Sequence, residues 1–181
     1  IKLAQARGIE DVNEYVDWVL RDQDPAELVK VVDKLTTNET YFFREPKHFE
    51  LLREAALQAP PGLPFRVWSA ASSSGEEAYS IAMVLADCRG DRPFEVVGTD
   101  ISSRVLARAR TGHYPDQRTR HIPQPYLKRF CLKGQGEQAG TLLVMRELRQ
   151  KVRFLPANLN ERLPDLGGFD VIFLRNVMIY F

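Results

Sequence analysis

Two acids, Glu76 and Glu77, follow the turn Ser69-Ala70-Ala71-Ser72-Ser73-Ser74-Gly75, and a third, Asp100, stands 25 residues after Gly75. The turn is neither G-x-G-x-x-G nor a P-loop. A pyrophosphate needs glycines so that backbone N–H groups can come close to it. One glycine followed by two acids would repel phosphate, so the turn suits a cationic ligand that carries none. Taken alone, the two glutamates also have a plainer reading, since acids favour the positive N-terminus of any helix. Asp100, at the end of a strand, can accept hydrogen bonds from both hydroxyls of a ribose, although a loop or cap aspartate looks the same in sequence. Cys88 and Cys131 lack metal or redox spacing, and His48, His113 and His121 lack ligand spacing. The chemistry expected is recognition of a nucleoside cation, with no metal and no His or Cys nucleophile.

Strands and helices must carry these groups to one place. Phe65 to Ala70 reads as a short strand. Gly75 to Cys88 reads as a helix, with Ala78, Ile81, Ala82 and Leu85 at helical spacing. A second strand runs from Phe94 to Gly98 and leads to Asp100, and Ser102 caps a helix through Arg110. A helix over 46–58 starts at Pro46, shows Phe49, Leu52 and Ala56 on one face, and stops at Ala59-Pro60-Pro61-Gly62. Val12 to Leu20 and residues 25–35 have one apolar face each, so the first 37 residues read as a small helical piece. The strand–helix alternation predicts a parallel sheet with crossover helices. It is interrupted over 112–150 by Pro115, Pro123, Pro125 and a turn holding Gly134, Gly136 and Gly140, with a strand on each side. It resumes at Val152–Leu155 and Phe169–Leu174. Ligands of open parallel sheets bind beyond the carboxyl ends of the strands. Ala70 to Glu77, Thr99 to Ile101, Arg175-Asn176 and Asn158-Leu159 should therefore converge.

Composition narrows the class. Of 181 residues, 44% are hydrophobic and 27% charged, which fits a folded globular chain. No apolar run approaches the ~20 residues of a membrane span, and Ile1 to Glu10 is no signal peptide. Free thiols suit a cytoplasmic location. Net charge is +1, unevenly spread: residues 104–133 hold eight Lys/Arg and one acid, Asp116. That stretch is either a solvated face or a patch for an acidic partner. Both ends read as cut, because there is no initiating Met and the chain stops on the apolar Val177-Met178-Ile179-Tyr180-Phe181.

Four motifs stand in order: Thr37-Asn38-Glu39-Thr40-Tyr41-Phe42-Phe43-Arg44, Trp68 to Ser80 around Ser74-Gly75-Glu76-Glu77, Gly98-Thr99-Asp100-Ile101, and Arg175-Asn176-Val177-Met178-Ile179-Tyr180-Phe181. Together they resemble the chemotaxis receptor glutamate methyltransferases, the CheR family. The resemblance implies an α/β fold, a doubly wound mostly parallel sheet of Rossmann-like methyltransferase type, truncated at the C-terminus. A partial N-terminal helical domain over 1–37 would precede a partial methyltransferase domain over 38–181, with a small antiparallel β lobe inserted at about 115–150. It implies S-adenosyl-L-methionine as cofactor, S-adenosyl-L-homocysteine as product, and no metal. Cofactor contacts would fall on Asn38, Thr40, Arg44, Glu77, Asp100, Asn158, Leu159, Arg175 and Asn176. Glu77 would hold the methionine ammonium, Asp100 the ribose, and Arg44 and Tyr180 would be the polar groups nearest the reacting methyl. The partners implied are the acidic methylation helices of bacterial chemoreceptors, reached in the cytoplasm at membrane receptor arrays. In some members of that family the lobe docks a tethering peptide from a receptor C-terminus. Neither nucleic acid nor membrane insertion is expected. Two other readings stand beside this one: a non-catalytic module that binds the cofactor and signals by protein contacts, and a methyltransferase for another substrate. Nucleic-acid amino methylation disagrees with Arg175-Asn176-Val177-Met178, which lacks the prolines such enzymes use there.

Overall fold

The computed structural model describes residues 2–9, 11–22, 27, 30–31 and 40–175. The chain forms two compact units, Ile1–Thr37 and Asn38–Phe181. In the first, helices α1 (Lys2–Ala6) and α2 (Val12–Asp22) bury Ala4, Tyr15 and Val19 together. The helix expected over 25–35 lies largely outside the described residues. Glu27 is buried and accepts hydrogen bonds from Arg7 (2.8 Å), the Tyr15 hydroxyl (2.7 Å) and Lys30 (2.9 Å). Arg7, then Tyr15 and Lys30, hold its carboxyl down to about 2 against an ordinary value near 4.5. Burial, and next the Glu27 carboxylate, push the Tyr15 phenol up to about 12. A carboxylate depressed in the folded state stabilises fully above its unfolded pKa, and that contribution is lost as pH falls through the folded one. In the intact protein with Trp68→Phe, the Trp18 fluorescence is expected to change between pH 4.5 and about 2. Glu27→Gln should abolish that transition; its persistence would show that Glu27 is not the group responsible.

The second unit opens with α3 (Pro46–Gln58), followed by β1 (Phe65–Ala70), α4 (Glu76–Arg89), β2 (Phe94–Asp100) and α5 (Ser103–Thr111). A small lobe comes next: β3 (His113–Pro115), α6 (Asp116–Thr119), α7 (Gln124–Phe130), β4 (Cys131–Lys133) and β5 (Thr141–Val144). Then α8 (Arg146–Arg149), β6 (Val152–Pro156) and β7 (Val171–Leu174) return to the main sheet. Ser102 caps α5 by accepting from the Val105 N–H at 3.3 Å. The main sheet is parallel, in the order β6-β2-β1-β7. The chain builds outward from β1 through β2 to β6 and then crosses to the other side of β1. The switch point, where a doubly wound sheet binds its ligand, therefore lies between β1 and β7. Register pairs Ala70 with both Thr99 and Leu174, and Asp100 with Pro156. Residues 71, 101, 157 and 175 consequently leave the sheet within one residue of the same level. The lobe is an antiparallel sheet ordered β3-β5-β4, with β4 and β5 flanking the glycine turn.

Helix α4 is apolar on every side, as a helix enclosed by its neighbours must be: Ala78, Tyr79, Ile81, Ala82, Met83, Val84 and Leu85 are all buried. Arg89, also buried, donates to the Ala56 carbonyl at 2.8 Å, where the C-terminal end of α3 favours a cation. β7 starts two residues later than the apolar pattern predicts. Asp170 instead closes a turn against Arg66, accepting its N–H at 2.7 Å, and Phe169 stacks on Trp68 at 5.7 Å. Gly98 in β2 is a close approach: a Cβ there would lie 2.6 Å from the buried Phe154 ring. Gly98→Ala is expected to cost about 1–3 kcal/mol by overpacking, read as a lower urea midpoint. An unchanged midpoint would mean that the ring moves aside freely.

Candidate active site

The site is built on the turn after β1. Ala71 (φ 59°), Ser73 (φ 49°) and Gly75 (φ 94°) alternate in left-handed conformation. Only glycine takes that region without cost. Among the described residues the other non-glycine positions of this kind are Phe43 and Glu45. Such strain gathers where function requires it, and both segments border the same region. The Phe43 N–H donates to the Ser80 hydroxyl of α4 at 3.0 Å, and Phe42, fully buried, meets the Tyr114 ring edge-on at 5.0 Å.

Several bonds hold the turn in place. Ser72 N–H donates to the Thr99 carbonyl at 2.7 Å, and Ser73 N–H to Asp100 Oδ2 at 2.9 Å. The other oxygen of Asp100 accepts Ser102 N–H at 2.9 Å. The Tyr114 hydroxyl donates to the Ser74 carbonyl at 2.7 Å. Burial, and next the Glu76 carboxylate, push this phenol well above its usual range, which keeps it a donor. The hydroxyls of Ser72 and Ser73 are buried without a protein partner among the described residues.

Beside the turn, Glu77 accepts the Ser69 hydroxyl at 2.7 Å and forms a two-pronged pair with Arg175, from Nε at 2.7 Å and Nη2 at 2.6 Å. Nη1 of Arg175 donates to the Arg44 carbonyl at 2.6 Å and lies 3.1 Å from His48 Nδ1. That nitrogen is also 3.2 Å from a Glu45 oxygen, so a neutral His48 can receive Arg175 and a protonated one can reach Glu45. Phe49 and Phe173 flank the Arg175 guanidinium at 5.5 and 5.4 Å. The Glu77 and Arg175 side chains are only 12% and 11% exposed, so their attraction is little screened.

The structure thus brings Arg44, Glu77, Asp100 and Arg175 to one end of the sheet. The Ala157 N–H donates to the Asp100 carbonyl at 3.0 Å, which starts the Asn158-Leu159 turn beside them. The Asn158 amide itself turns to Glu161 at 2.9 Å. Thr40 is half-buried two residues before Phe42. Asn38, Asn176 and Tyr180 lie outside the described residues.

A family model described as CheR methyltransferase, SAM binding domain, matches residues 38–181. The chain belongs to this family. It is 48% identical to Chemotaxis protein methyltransferase 2 of Pseudomonas aeruginosa, over 88% of this chain and 59% of that one. It is 40% identical to Chemotaxis protein methyltransferase of Escherichia coli, over 100% and 64% of the two chains. With Chemotaxis protein methyltransferase of Borreliella burgdorferi the identity is 38%, over 99% and 66%. The chain therefore spans about three fifths of the length of the curated relatives it matches.

Sequence reading of this CheR domain overlooks Ser69, His48 and Arg118. His48 stands in the first turn of α3, and nothing local relates it to Arg175, 127 residues away. Ser69 belongs to a strand whose facing was unknown. Arg118 has no sequence signal, because its partner Glu76 is 42 residues away. The basic stretch also divides. Arg110 donates to the Phe154 carbonyl, Arg118 pairs with Glu76 and Arg129 with Asp87, while Arg108 and Arg120 are exposed.

Proposed function

We propose that this chain holds the cofactor and reaction site of an S-adenosylmethionine-dependent methyltransferase that esterifies glutamate side chains on bacterial chemoreceptors. The observation that carries the reading is the shielded Glu77–Arg175 pair at the switch point of a CheR-family sheet. Such a pair complements an amino-acid zwitterion, the ammonium on Glu77 and the carboxylate on Arg175. Arg175 makes three hydrogen bonds to described partners, fewer than its five N–H donors, and Glu77 Oε1 takes a single hydroxyl. Asp100 closes β2 at the carboxyl end of the sheet, where an acid can accept ribose hydroxyls. The unpartnered Ser72 and Ser73 hydroxyls suit a polar ligand. These residues fit S-adenosylmethionine. By family resemblance Asn38, Thr40, Asn158, Leu159 and Asn176 complete the cofactor contacts, with Arg44 and Tyr180 beside the reacting centre.

Bound there, S-adenosylmethionine supplies a methyl group on a cationic sulfur. A glutamate substrate, with a reference pKa of about 4.3, is anionic at neutral pH, so the chain need not provide a general base. Its tasks are alignment and exclusion of water. Charge is neutralised on the way to the transition state, and water opposes this; a dry, preorganised site relieves that opposition. Arg44, half-buried and 5.6 Å above the Tyr41 ring, orients the carboxylate through hydrogen bonds, with Tyr180 donating another. A tight ion pair would instead blunt the nucleophile.

The exposed Arg108 and Arg120 suit the acidic helices of a receptor, and the reading places the protein in the cytoplasm at receptor arrays. On the lobe, an open groove of about 510 Å³ is lined by residues including His113, Leu132, Lys133, Thr141 and Leu143. The strands β3 and β4 are the edges of the lobe's sheet, and an edge strand can take an extended tethering peptide as an added strand.

The test is transfer of labelled methyl from S-adenosylmethionine to receptor by the intact protein, with release in base to show an ester. In single turnover at saturating cofactor, Arg44→Ala and Tyr180→Phe are each expected to lose about 100-fold, the cost of a misaligned reacting group. Label that resists base would overturn the ester assignment. Near wild-type rates in both variants would overturn the roles of Arg44 and Tyr180.

A further inference from the structure

The second glutamate of the turn, Glu76, is accounted for neither by zwitterion recognition nor by catalysis. It is completely buried at the first position of α4. Its carboxylate accepts the Ser74 hydroxyl on both oxygens, at 2.8 and 3.0 Å, and the Arg118 Nη1 on one of them. The same Arg118 nitrogen also donates to the Ser74 hydroxyl at 3.0 Å. The groups facing Glu76 are thus Arg118 from α6, the Tyr114 phenol from β3 and the Ser74 hydroxyl of its own turn. Two of these three come from the lobe and not from the main sheet.

A helix N-terminus and one hydroxyl are weak compensation for a fully buried carboxylate, and loss of the cation from such a pair strands the charge. Glu76 is covalently next to Glu77 and joined through Gly75 and Ser74 to the strained Ser73. Any movement that rehydrates Glu76 therefore shifts Glu77 and the Ser73 N–H that Asp100 accepts. We propose that Arg118 is a positioning residue for the cofactor: it reaches from the lobe, neutralises Glu76 beside the turn, and so fixes the turn that leads into Glu77 and donates the Ser73 N–H to Asp100. The proposal rests on the cofactor reading above and adds to it a residue that touches no part of the ligand.

Removal of the Glu76 charge separates this role from a merely structural one: without Arg118 the carboxylate is stranded, and Glu76→Gln relieves it. The experiment is calorimetric titration of the intact protein with S-adenosylhomocysteine at neutral pH. Arg118→Met should bind about tenfold or more weakly than wild type. The double variant Glu76→Gln with Arg118→Met, which strands no charge, should bind within about threefold of wild type. It also guards against a single variant that fails to fold. Wild-type affinity in Arg118→Met would overturn the proposal. So would a loss that is not restored in the double variant. Failure of the wild-type protein to bind at all would remove the cofactor reading, and this inference with it.

Discussion

Asp100→Ala is expected to weaken binding of S-adenosylhomocysteine and of adenosine alike by about 100-fold or more. Hydrogen bonds to a charged group contribute roughly 1.5–3 kcal/mol each, and two ribose hydroxyls would be lost together. The same carboxylate accepts Ser73 N–H and Ser102 N–H at 2.9 Å each. Its removal therefore breaks both bonds and loosens the turn that leads into Glu77. Asp100→Asn should fall between, since the amide keeps one acceptor oxygen but turns an NH2 group toward a backbone donor. Calorimetric titration with both ligands reads the effect. Affinity within threefold of wild type in Asp100→Ala would exclude Asp100 from sugar recognition.

Glu77→Gln should split the ligands that Asp100→Ala treats alike. The substitution keeps the length of the side chain and an acceptor for Ser69, but it removes the charge that pairs with an ammonium. It also sets an amide NH2 against the Arg175 guanidinium, which is still held by the Arg44 carbonyl and His48. One charge-assisted bond of roughly 1.5–3 kcal/mol corresponds to about 10- to 100-fold in affinity. That loss is expected for S-adenosylhomocysteine and for S-adenosylmethionine. Adenosine, which has no amino-acid moiety, should bind Glu77→Gln as it binds wild type. Equal losses for adenosine and S-adenosylhomocysteine would mean that Glu77 only supports the turn.

Of the main sheet, much was legible beforehand. Phe65–Ala70 and Phe94–Gly98 are short and rich in apolar, β-branched or aromatic residues, and helical periodicity marks 46–58 and 75–88, so their type follows from local pattern. The glycine turn foretold β4 and β5, but β3 is three residues long with one buried side chain, Tyr114, too little pattern to announce a strand. The start of β7 was misjudged because Phe169 is apolar for another reason: it covers Trp68 from outside the strand.

The site divides in the same way. The convergence of Glu77, Asp100 and Arg175 was legible because each lies within a residue or two of a strand's carboxyl end, or at the helix start that follows one, and parallel topology gathers those ends whatever the rest of the chain does. Their pairing was not readable. That Glu77 faces Arg175, 98 residues away, and that Glu76 turns to Arg118 depends on the rotation of α4 about its own axis and on where the lobe folds back. Composition, periodicity and turn chemistry are local properties, so the sequence by itself determined which elements form and which of their ends meet. Burial and charge pairing are sums over distant neighbours. Only the tertiary structure decided which of two adjacent glutamates is sealed inside with Arg118 and which pairs with Arg175.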